Sequence, residues 1–212
     1  MKQVYVLGVG HNTPVLMDLA LSCSCEILGL YHYNDLRTGE MVHGYPILGS
    51  FDDMFERDGI QGKSFILSMG DNNIRFDLSR RIREGGGLLP TLIHPSSVIS
   101  KFATISKEAV YIFPFTFVQS DSTVGSNTIL LSHVNISHNT NVGENCFIAG
   151  GCMVGAYVSI GDNVFIGQHS TIVSDKVSQI GSNSFIGAGS LVLSDVSPGT
   201  LVYGAPAKEI KR

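Results

Sequence analysis

Small aliphatic residues recur at nearly every sixth position across residues 93–192. Two steps depart from this spacing: seven residues separate Ile105 from Ile112, and eight separate Ile172 from Ile180. Apolar residues spaced by six would spread around the 3.6-residue turn of an α-helix, so the pattern excludes an amphipathic helix. Short strands joined by tight bends can use this period, and three such sides return the chain one strand spacing, roughly 4.8 Å, above its start.

In this arrangement the aliphatic residues point inward and stack on their counterparts eighteen residues later, as Val142 would on Ile160. A small residue follows four positions after the aliphatic one, and Cys146 and Cys152 fall at that inward position. We interpret them as buried free thiols. Gly or Asn near each bend is expected to ease the corner. The repeat therefore predicts a parallel β-helix of between five and six coils.

The first ninety residues follow a different pattern, in which apolar strands alternate with helical stretches. Strands are predicted over residues 2–7, 26–31, 64–68 and 88–93, and helices over 13–22, 51–57 and 74–84. This alternation predicts a small three-layer, Rossmann-like α/β domain with a parallel sheet. Ligands of such sheets bind beyond the carboxyl ends of the strands, where the glycine-containing loops 8–12 and 70–73 would lie. Their convergence favours a phosphate or sugar site.

The charge and composition of the chain argue against two kinds of partner, nucleic acids and the membrane interior. The net charge of −4 over 212 residues offers no nucleic-acid-binding surface, and no apolar stretch is long enough to span a bilayer. The first residues read as a strand rather than as a signal peptide, so we expect a cytoplasmic protein without membrane insertion. After Pro206, a short helix is expected to cap the open end of the β-helix.

Several segments together resemble one family, the bacterial sugar acetyltransferases of the NeuD type. They are the GVGHN of residues 8–12, the MGDNNIR of residues 69–75, the IHPSSVI of residues 93–99, the hexapeptide coils and the GAPAK of residues 204–208. The family includes the enzyme that N-acetylates a UDP-linked 4-amino sugar during bacillosamine biosynthesis. The resemblance implies that the β-helix is left-handed. It also implies an acceptor-binding domain over residues 1–91 and an acetyl-CoA-binding catalytic domain with a short C-terminal cap over residues 92–212.

The resemblance further implies an acetyl-CoA-dependent N-acetyltransferase for surface glycan biosynthesis, acting on an amino sugar, nucleotide-linked and of the 4-amino-4,6-dideoxy type. It implies a homotrimer with active sites between subunits and no metal. The family's catalytic histidine aligns with His138, followed here by Asn139 where the family often has an acidic residue. His138 would deprotonate the sugar amine, and backbone N–H groups of Gly155 and Ala156 would stabilise the tetrahedral intermediate.

Other site residues follow from the same resemblance. The substrate-binding residues that it implies are Gly10, His11, Asn12, His32, Tyr33, Gly70 and Asn73. The cofactor-binding residues that it implies are Phe147, Gly155, Ala156, Gln168 and Ala188. His32 and Tyr33 replace the acidic pair by which the family recognises uracil, which leaves the nucleotide open. Phe147 replaces a second histidine near the acetyl group.

Three alternatives remain open from the residues alone. The spacing of His133 and His138 resembles that of two zinc ligands in the γ-class carbonic anhydrases, which are also left-handed β-helix trimers. A non-catalytic β-helix sensor is conceivable because Asn139 and Phe147 depart from the family. An O-acetyltransferase of the same fold is the third, although an amine is the better nucleophile and needs the weaker base that Asn139 implies.

Overall fold

The computed structural model describes residues 2–210, which divide into two compact units between Leu92 and Ile93. The described part of the first unit contains a sheet of strand order β3-β4-β2-β1-β5. Its strands are β1 (Lys2–Leu7), β2 (Cys25–His32), β3 (Met41–Val42), β4 (Tyr45–Ser50) and β5 (Phe65–Leu67). Strands β4, β2, β1 and β5 run parallel, and β3 pairs antiparallel with β4. The predicted parallel α/β domain is confirmed, with an antiparallel edge strand added.

The described part of this unit has two α-helices: α1 (Thr13–Ser22) connects β1 to β2, and α2 (Asn72–Glu84) follows β5. Helix α1 has the predicted bounds. Helix α2 begins two residues before the predicted start because the Asp71 carboxylate accepts hydrogen bonds from the first N–H groups of the helix, at 2.8 and 3.1 Å. Shorter helical segments are the 3-10 turn Asp35–Arg37 and the π-helical turn Asp53–Arg57.

The strands of this region differ from the prediction in three places, of which one is the short edge strand β3. Strand β4 was not predicted, because Pro46 and Gly49 interrupt its apolar pattern. The predicted strand over 88–93 is wrong as a single element. Leu88 forms an isolated bridge with Ser64, and the next regular strand starts only at Leu92.

The second unit is a parallel β-helix whose short strands stack into three sheets, called here the first, second and third faces. The first face contains Leu92–Ile93, Tyr111–Ile112, Ile129–Leu130, Phe147–Ile148, Phe165–Ile166, Phe185–Ile186, Leu201–Tyr203 and Lys208–Glu209. The second face contains Val98–Ile99, Phe117–Val118, Asn135–Ile136, Met153–Val154, Thr171–Ile172 and Leu191–Val192. The third face contains Thr104–Ile105, Thr123–Val124, Asn141–Val142, Ser159–Ile160 and Gln179–Ile180. A bridge from Val196 to Ile180 closes the sixth coil, as the repeat predicts.

The aliphatic residues of the repeat form the core, and Val142 pairs with Ile160 as predicted. Most of the small inward residues are also buried, and hydroxyl-bearing ones such as Thr128 and Thr140 donate hydrogen bonds to backbone carbonyls of the next coil. The thiol of Cys152 takes part in this pattern by donating to Gly167 O at 3.1 Å, and burial raises its pKa to about 11. All four cysteines lie among the described residues and are free thiols. The interpretation of Cys146 and Cys152 as buried thiols is confirmed.

The prediction that Gly or Asn eases the corners is confirmed, mainly through Asn. The left-handed backbone conformation falls three residues after most of the aliphatic residues, where Asn is frequent: Asn127, Asn139, Asn145, Asn163 and Asn183 have φ of 56–61°. The glycines directly after the aliphatic residue lie outside this conformation. A Cβ on Gly125 would come within 2.6 Å of the carbonyl carbon and oxygen of Gly143 in the next coil. These glycines are therefore required for the close approach of the coils.

The C-terminal segment forms a turn and a strand instead of the predicted helix. The Ala205–Pro206 peptide bond is cis, and the chain reverses so that Lys208–Glu209 pairs antiparallel with Leu201–Tyr203. This hairpin covers one edge of the first face, so an edge strand supplies the predicted cap. Among residues 2–210, no helix combines the length and the apolar character needed to cross a membrane.

We predict that Gly125→Ala lowers the free energy of unfolding by roughly 1–3 kcal/mol, because the added methyl group overlaps the backbone of the next coil. Urea unfolding followed by circular dichroism measures this change. Gly189→Asn is the matched control, since a Cβ there meets nothing within 4 Å and Asn adopts its left-handed φ readily. An equal loss in both variants would contradict the steric role of Gly125.

Candidate active site

His138 lies at the corner between the second and third faces, called here the His138 corner. Residues in equivalent turn positions of the next two coils are Ala156 and Ser174. The His138 side chain is exposed. Its Nδ1 lies 2.9 Å from the Asn139 Oδ1, which can only accept a hydrogen bond. The ring proton is therefore on Nδ1, and Nε2 keeps the lone pair that a general base needs.

Two residues from the neighbouring coils hold His138, and neither was predicted. The Gln119 side-chain oxygen accepts the backbone N–H of His138 at 3.3 Å, while its Nε2 donates to Asn135 Oδ1 at 3.1 Å. From the coil above, the Tyr157 backbone N–H donates to the His138 carbonyl at 3.3 Å. The Tyr157 ring meets the imidazole edge to face, with centroids 5.3 Å apart and planes at 88°. Residues eighteen positions apart stack in successive coils, and Tyr157 lies eighteen positions after Asn139. The repeat could therefore have indicated that Tyr157 lies beside the His138 corner.

Of the two backbone N–H groups expected to stabilise an oxyanion, those of Gly155 and Ala156, only that of Ala156 is available. The Gly155 N–H donates to the Ile172 carbonyl at 2.9 Å as part of the coil stacking, so it is not available to a ligand. The Ala156 N–H donates to Ser174 Oγ at 2.9 Å. Because this acceptor is a hydroxyl on a rotatable side chain, Ala156 can exchange it for another acceptor without breaking the β-helix.

Three cofactor-binding candidates lie away from the His138 corner. Phe147 is on the first face, where its side chain is only 7% exposed and stacks on Phe165 with centroids 5.3 Å apart. It therefore presents little surface to a cofactor. Gln168 and Ala188 are exposed at the corner between the first and second faces, in consecutive coils. A single chain thus brings His138, Asn139 and Ala156 together at one corner and leaves Gln168 and Ala188 at another.

The first unit contains a pocket of about 380 Å³ at the carboxyl ends of β1, β2 and β5. Small-molecule sites commonly have volumes of about 300–1,000 Å³. The lining residues are Gly8, Val9, Gly10, His11, Asn12, His32, Tyr33, Phe51, Ser68, Met69, Gly70 and Ile74. Six of the seven predicted substrate-binding residues are brought together here. The exception is Asn73, which does not line the pocket and whose backbone N–H donates to the Asp71 carboxylate instead.

A chain of hydroxyl groups fixes the first pocket loop. Ser68 Oγ donates to the Leu7 carbonyl at 2.8 Å, so the Thr13 hydroxyl is the donor in its 2.9 Å contact with Ser68. Thr13 Oγ1 also accepts the Gly10 N–H at 2.8 Å. Gly8 has φ of +103°, and a Cβ there would lie 2.5 Å from Ser68 Oγ. The loop can pass this network only because residue 8 is glycine.

His32 and Tyr33 form one side of the pocket. The Asn34 backbone N–H donates to His32 Nδ1 at 3.2 Å, and Nδ1 therefore cannot also donate to Asn34 O at 3.3 Å. The ring proton of neutral His32 is on Nε2, so this residue carries a hydrogen-bond donor. His32 is 5% exposed and Tyr33 is 76% exposed, with ring centroids 4.2 Å apart. The pair thus combines a fixed donor with an exposed aromatic face.

No group of three His, Cys, Asp or Glu side chains within residues 2–210 is arranged to hold a metal ion. His133, the partner that the zinc alternative requires for His138, lies at the corner between the first and second faces. Its ring contacts Phe115, with centroids 5.1 Å apart. The two histidines therefore occupy different corners of the same coil.

Comparisons with known proteins agree with this architecture. Residues 139–174 match the family described as bacterial transferase hexapeptide (six repeats). No curated protein sequence matches the chain. A solved structure of perosamine N-acetyltransferase from Caulobacter crescentus, a histidine-to-asparagine mutant in complex with CoA and GDP-perosamine, is similar with a TM-score of 0.90. The identity is 25%, and the match covers 100% of this chain and 98% of that chain.

Two further structures share the fold. WeeI from Acinetobacter baumannii AYE has a TM-score of 0.86 at 20% identity, with 99% of this chain and 100% of that chain covered. The acetyltransferase domain of PglB from Neisseria gonorrhoeae FA1090, in complex with acetyl coenzyme A, has a TM-score of 0.57 at 23% identity, with 99% of each chain covered. These matches confirm the predicted resemblance and the left-handed β-helix of hexapeptide repeats after an α/β domain.

We predict that Thr13→Val loosens the first pocket loop, because it removes the acceptor of the Gly10 N–H and the donor to Ser68. The expected loss is roughly 1–3 kcal/mol of stability, together with faster hydrogen exchange of the Gly10 amide. Nuclear magnetic resonance measures the exchange. Thr123→Val is the control, since its hydroxyl makes an exposed contact with Asn141. Unchanged exchange at Gly10 in Thr13→Val would contradict this role.

Proposed function

We propose that the chain is an acetyl-CoA-dependent N-acetyltransferase whose acceptor is an amino sugar linked to a nucleotide. The observation that carries this proposal is the full-length similarity to perosamine N-acetyltransferase, whose structure holds both CoA and GDP-perosamine. Both of the features that such a reaction needs are present: a corner histidine with a free Nε2 and a pocket in the α/β unit. An acceptor of the 4-amino-4,6-dideoxy type and a role in surface glycan biosynthesis belong to the same proposal.

In this proposal the two parts of the chain divide the work. Residues 1–91 bind the nucleotide sugar, with the two glycine-containing loops near its phosphates and with His32 and Tyr33 toward the remainder of the nucleotide. Residues 92–212 bind acetyl-CoA and carry His138. The exposed Gln168 and Ala188 contribute to the CoA site from their own corner.

The reaction needs one base and one oxyanion donor. His138 Nε2 accepts a proton from the sugar amine as its nitrogen attacks the thioester carbonyl of acetyl-CoA. The Ala156 N–H, released from Ser174, donates to the oxygen of the tetrahedral intermediate. The intermediate collapses as the carbon–sulfur bond breaks, and the imidazolium returns its proton to the leaving thiolate. The products are the amide and free CoA.

Asn139 sets the strength of the base. Its carbonyl oxygen holds the Nδ1–H tautomer but places no negative charge beside the ring. A carboxylate at this position would stabilise the imidazolium and make His138 a stronger base. A neutral partner is sufficient for an amine, which is a better nucleophile than a hydroxyl group. This difference supports N-acetylation over O-acetylation.

We further infer a homotrimer with active sites between subunits. Outward residues of the second face include Val98 and Phe117, 60% and 39% exposed, and Met153, 46% exposed. The third face carries polar residues at the corresponding positions. The second face is the more apolar of the two, although it also carries Asn135 and Thr171, and it is suited to contact with another copy of the chain. Contact between copies would also let His138 of one subunit approach the Gln168 corner of the next.

A cytoplasmic location completes the proposal. It is supported by the four free cysteines of the described chain, because unpaired thiols are typical of a reducing compartment.

We predict that the wild-type protein releases CoA thiol from acetyl-CoA in the presence of a nucleotide-linked 4-amino sugar, and that His138→Ala lowers kcat by at least about 100-fold. A thiol-reactive dye measures the release, and mass spectrometry identifies the amide. The matching sugar with a hydroxyl group in place of the amine is expected to react more slowly. Unchanged turnover in His138→Ala would refute the proposed base, and faster reaction of the hydroxyl sugar would favour O-acetylation.

We predict that light scattering gives a molar mass three times that of the chain and that Phe117→Asp lowers it, because a carboxylate on the second face would be buried between subunits. Thr123→Asp is the matched control on the polar third face and is expected to leave the trimer intact. A monomeric wild-type protein, or a trimer insensitive to Phe117→Asp, would contradict the proposed interface.

A further inference from the structure

The left-handed turn positions of the β-helix follow a clear preference, and Tyr157 departs from it. Most of these positions in residues 93–210 are Asn, Asp or Gly, the residue types that adopt positive φ with least strain. Tyr157 has φ of 60°, and Phe115, at 61°, is the other large aromatic residue among them in the described chain. Both side chains are exposed, Tyr157 by 65% and Phe115 by 63%. Packing in the β-helix core therefore does not account for Tyr157.

The side chain of Tyr157 contacts His138 of the preceding coil, with its ring edge to face with the imidazole. The backbone N–H of Tyr157 donates to His138 O, as the N–H groups of turn residues such as Asn139 and Asn163 do to the coil before them, so the ring contact is the part that depends on the tyrosine. Asn139 contacts the same imidazole through Nδ1. The imidazole of an exposed histidine would otherwise rotate about its side-chain bonds, so these two contacts restrict it to one orientation.

We propose that Tyr157 is a positioning residue for His138, kept in a strained backbone conformation because its ring orients the base. This proposal rests on the proposed acetyltransferase function. It adds Tyr157 to the residues of the active site, as one that acts on His138 only through the contact between the two rings. Strain of this kind persists where the surrounding structure and the function over-determine it. The fold would accept Asn at this position more readily than it accepts Tyr.

The test compares Tyr157→Asn with Tyr157→Phe. Tyr157→Asn is expected to raise Tm by about 2–4 °C, because Asn relieves the strain of positive φ. The same variant is expected to lower kcat by at least about tenfold with little change in either KM, because the base is no longer held in the reactive geometry. Tyr157→Phe keeps the ring and is expected to retain kcat within about threefold.

Phe115→Asn is the matched control for strain relief. Its φ, exposure and ring contact with a neighbouring histidine resemble those of Tyr157, but its partner is His133. It is expected to raise Tm by a similar amount and to leave kcat unchanged. An equal fall of kcat in Phe115→Asn would overturn the proposal, as would full activity of Tyr157→Asn. A loss in Tyr157→Phe equal to that in Tyr157→Asn would assign the effect to the hydroxyl and also overturn it.

A second readout does not depend on turnover. The nitrogen and carbon resonances of the His138 ring in the wild-type protein are expected to report one tautomer and one orientation, and Tyr157→Asn is expected to average them. If the wild-type protein proves inactive with every amino sugar while these resonances still depend on Tyr157, the function fails and the positioning role stands. Resonances that are identical in the two proteins would refute the positioning role whatever the activity.

Discussion

Every coil of the β-helix must pass within one strand spacing of the next, and this close approach governs the other features of the second unit. It requires glycine after many of the aliphatic residues, because a methyl group on Gly125 would overlap the backbone of Gly143. It aligns the inward aliphatic residues and lets small inward side chains bond to the carbonyls of the next coil. It also brings residues about eighteen positions apart into contact. His138 is consequently held by Gln119 of one neighbouring coil and by Tyr157 of the other.

The sequence predicts the parts of the structure that follow from periodicity. A six-residue period gives the coil, its inward stacks and the buried thiols, since each depends on repeated spacing alone. Features that depend on single residues were missed. Strand β4 forms in spite of Pro46 and Gly49, and the C-terminal segment forms an antiparallel strand where the sequence predicts a helix. Spacing alone does not distinguish the need for positive φ, which Asn meets at most corners, from the need for small size, which glycine meets after the aliphatic residues.

In the candidate site, too, the features that follow from spacing and topology could be predicted, and those that depend on single residues could not. His138 and Asn139 are adjacent in sequence, so their contact could be expected, and the convergence of two loops on one sheet edge follows from parallel topology. The direction of each hydrogen bond could not be expected. Ser174 accepts the Ala156 N–H, and Ile172 accepts that of Gly155, which separates two donors that sequence reasoning treats alike. Phe147 was assigned to the cofactor by alignment, but stacking on Phe165 buries its ring.

We propose that His138 acts in the chemical step and that both substrates bind through other residues of the chain. A single-turnover experiment on His138→Asn tests it most directly, with binding of a nucleotide-linked amino sugar and of CoA measured on the same protein by calorimetry. We predict that Kd for each ligand stays within about threefold of the wild-type value while acetyl transfer in the assembled complex falls by at least about 100-fold. Loss of binding with normal transfer once the protein is saturated would contradict it, since His138 would then be a binding residue.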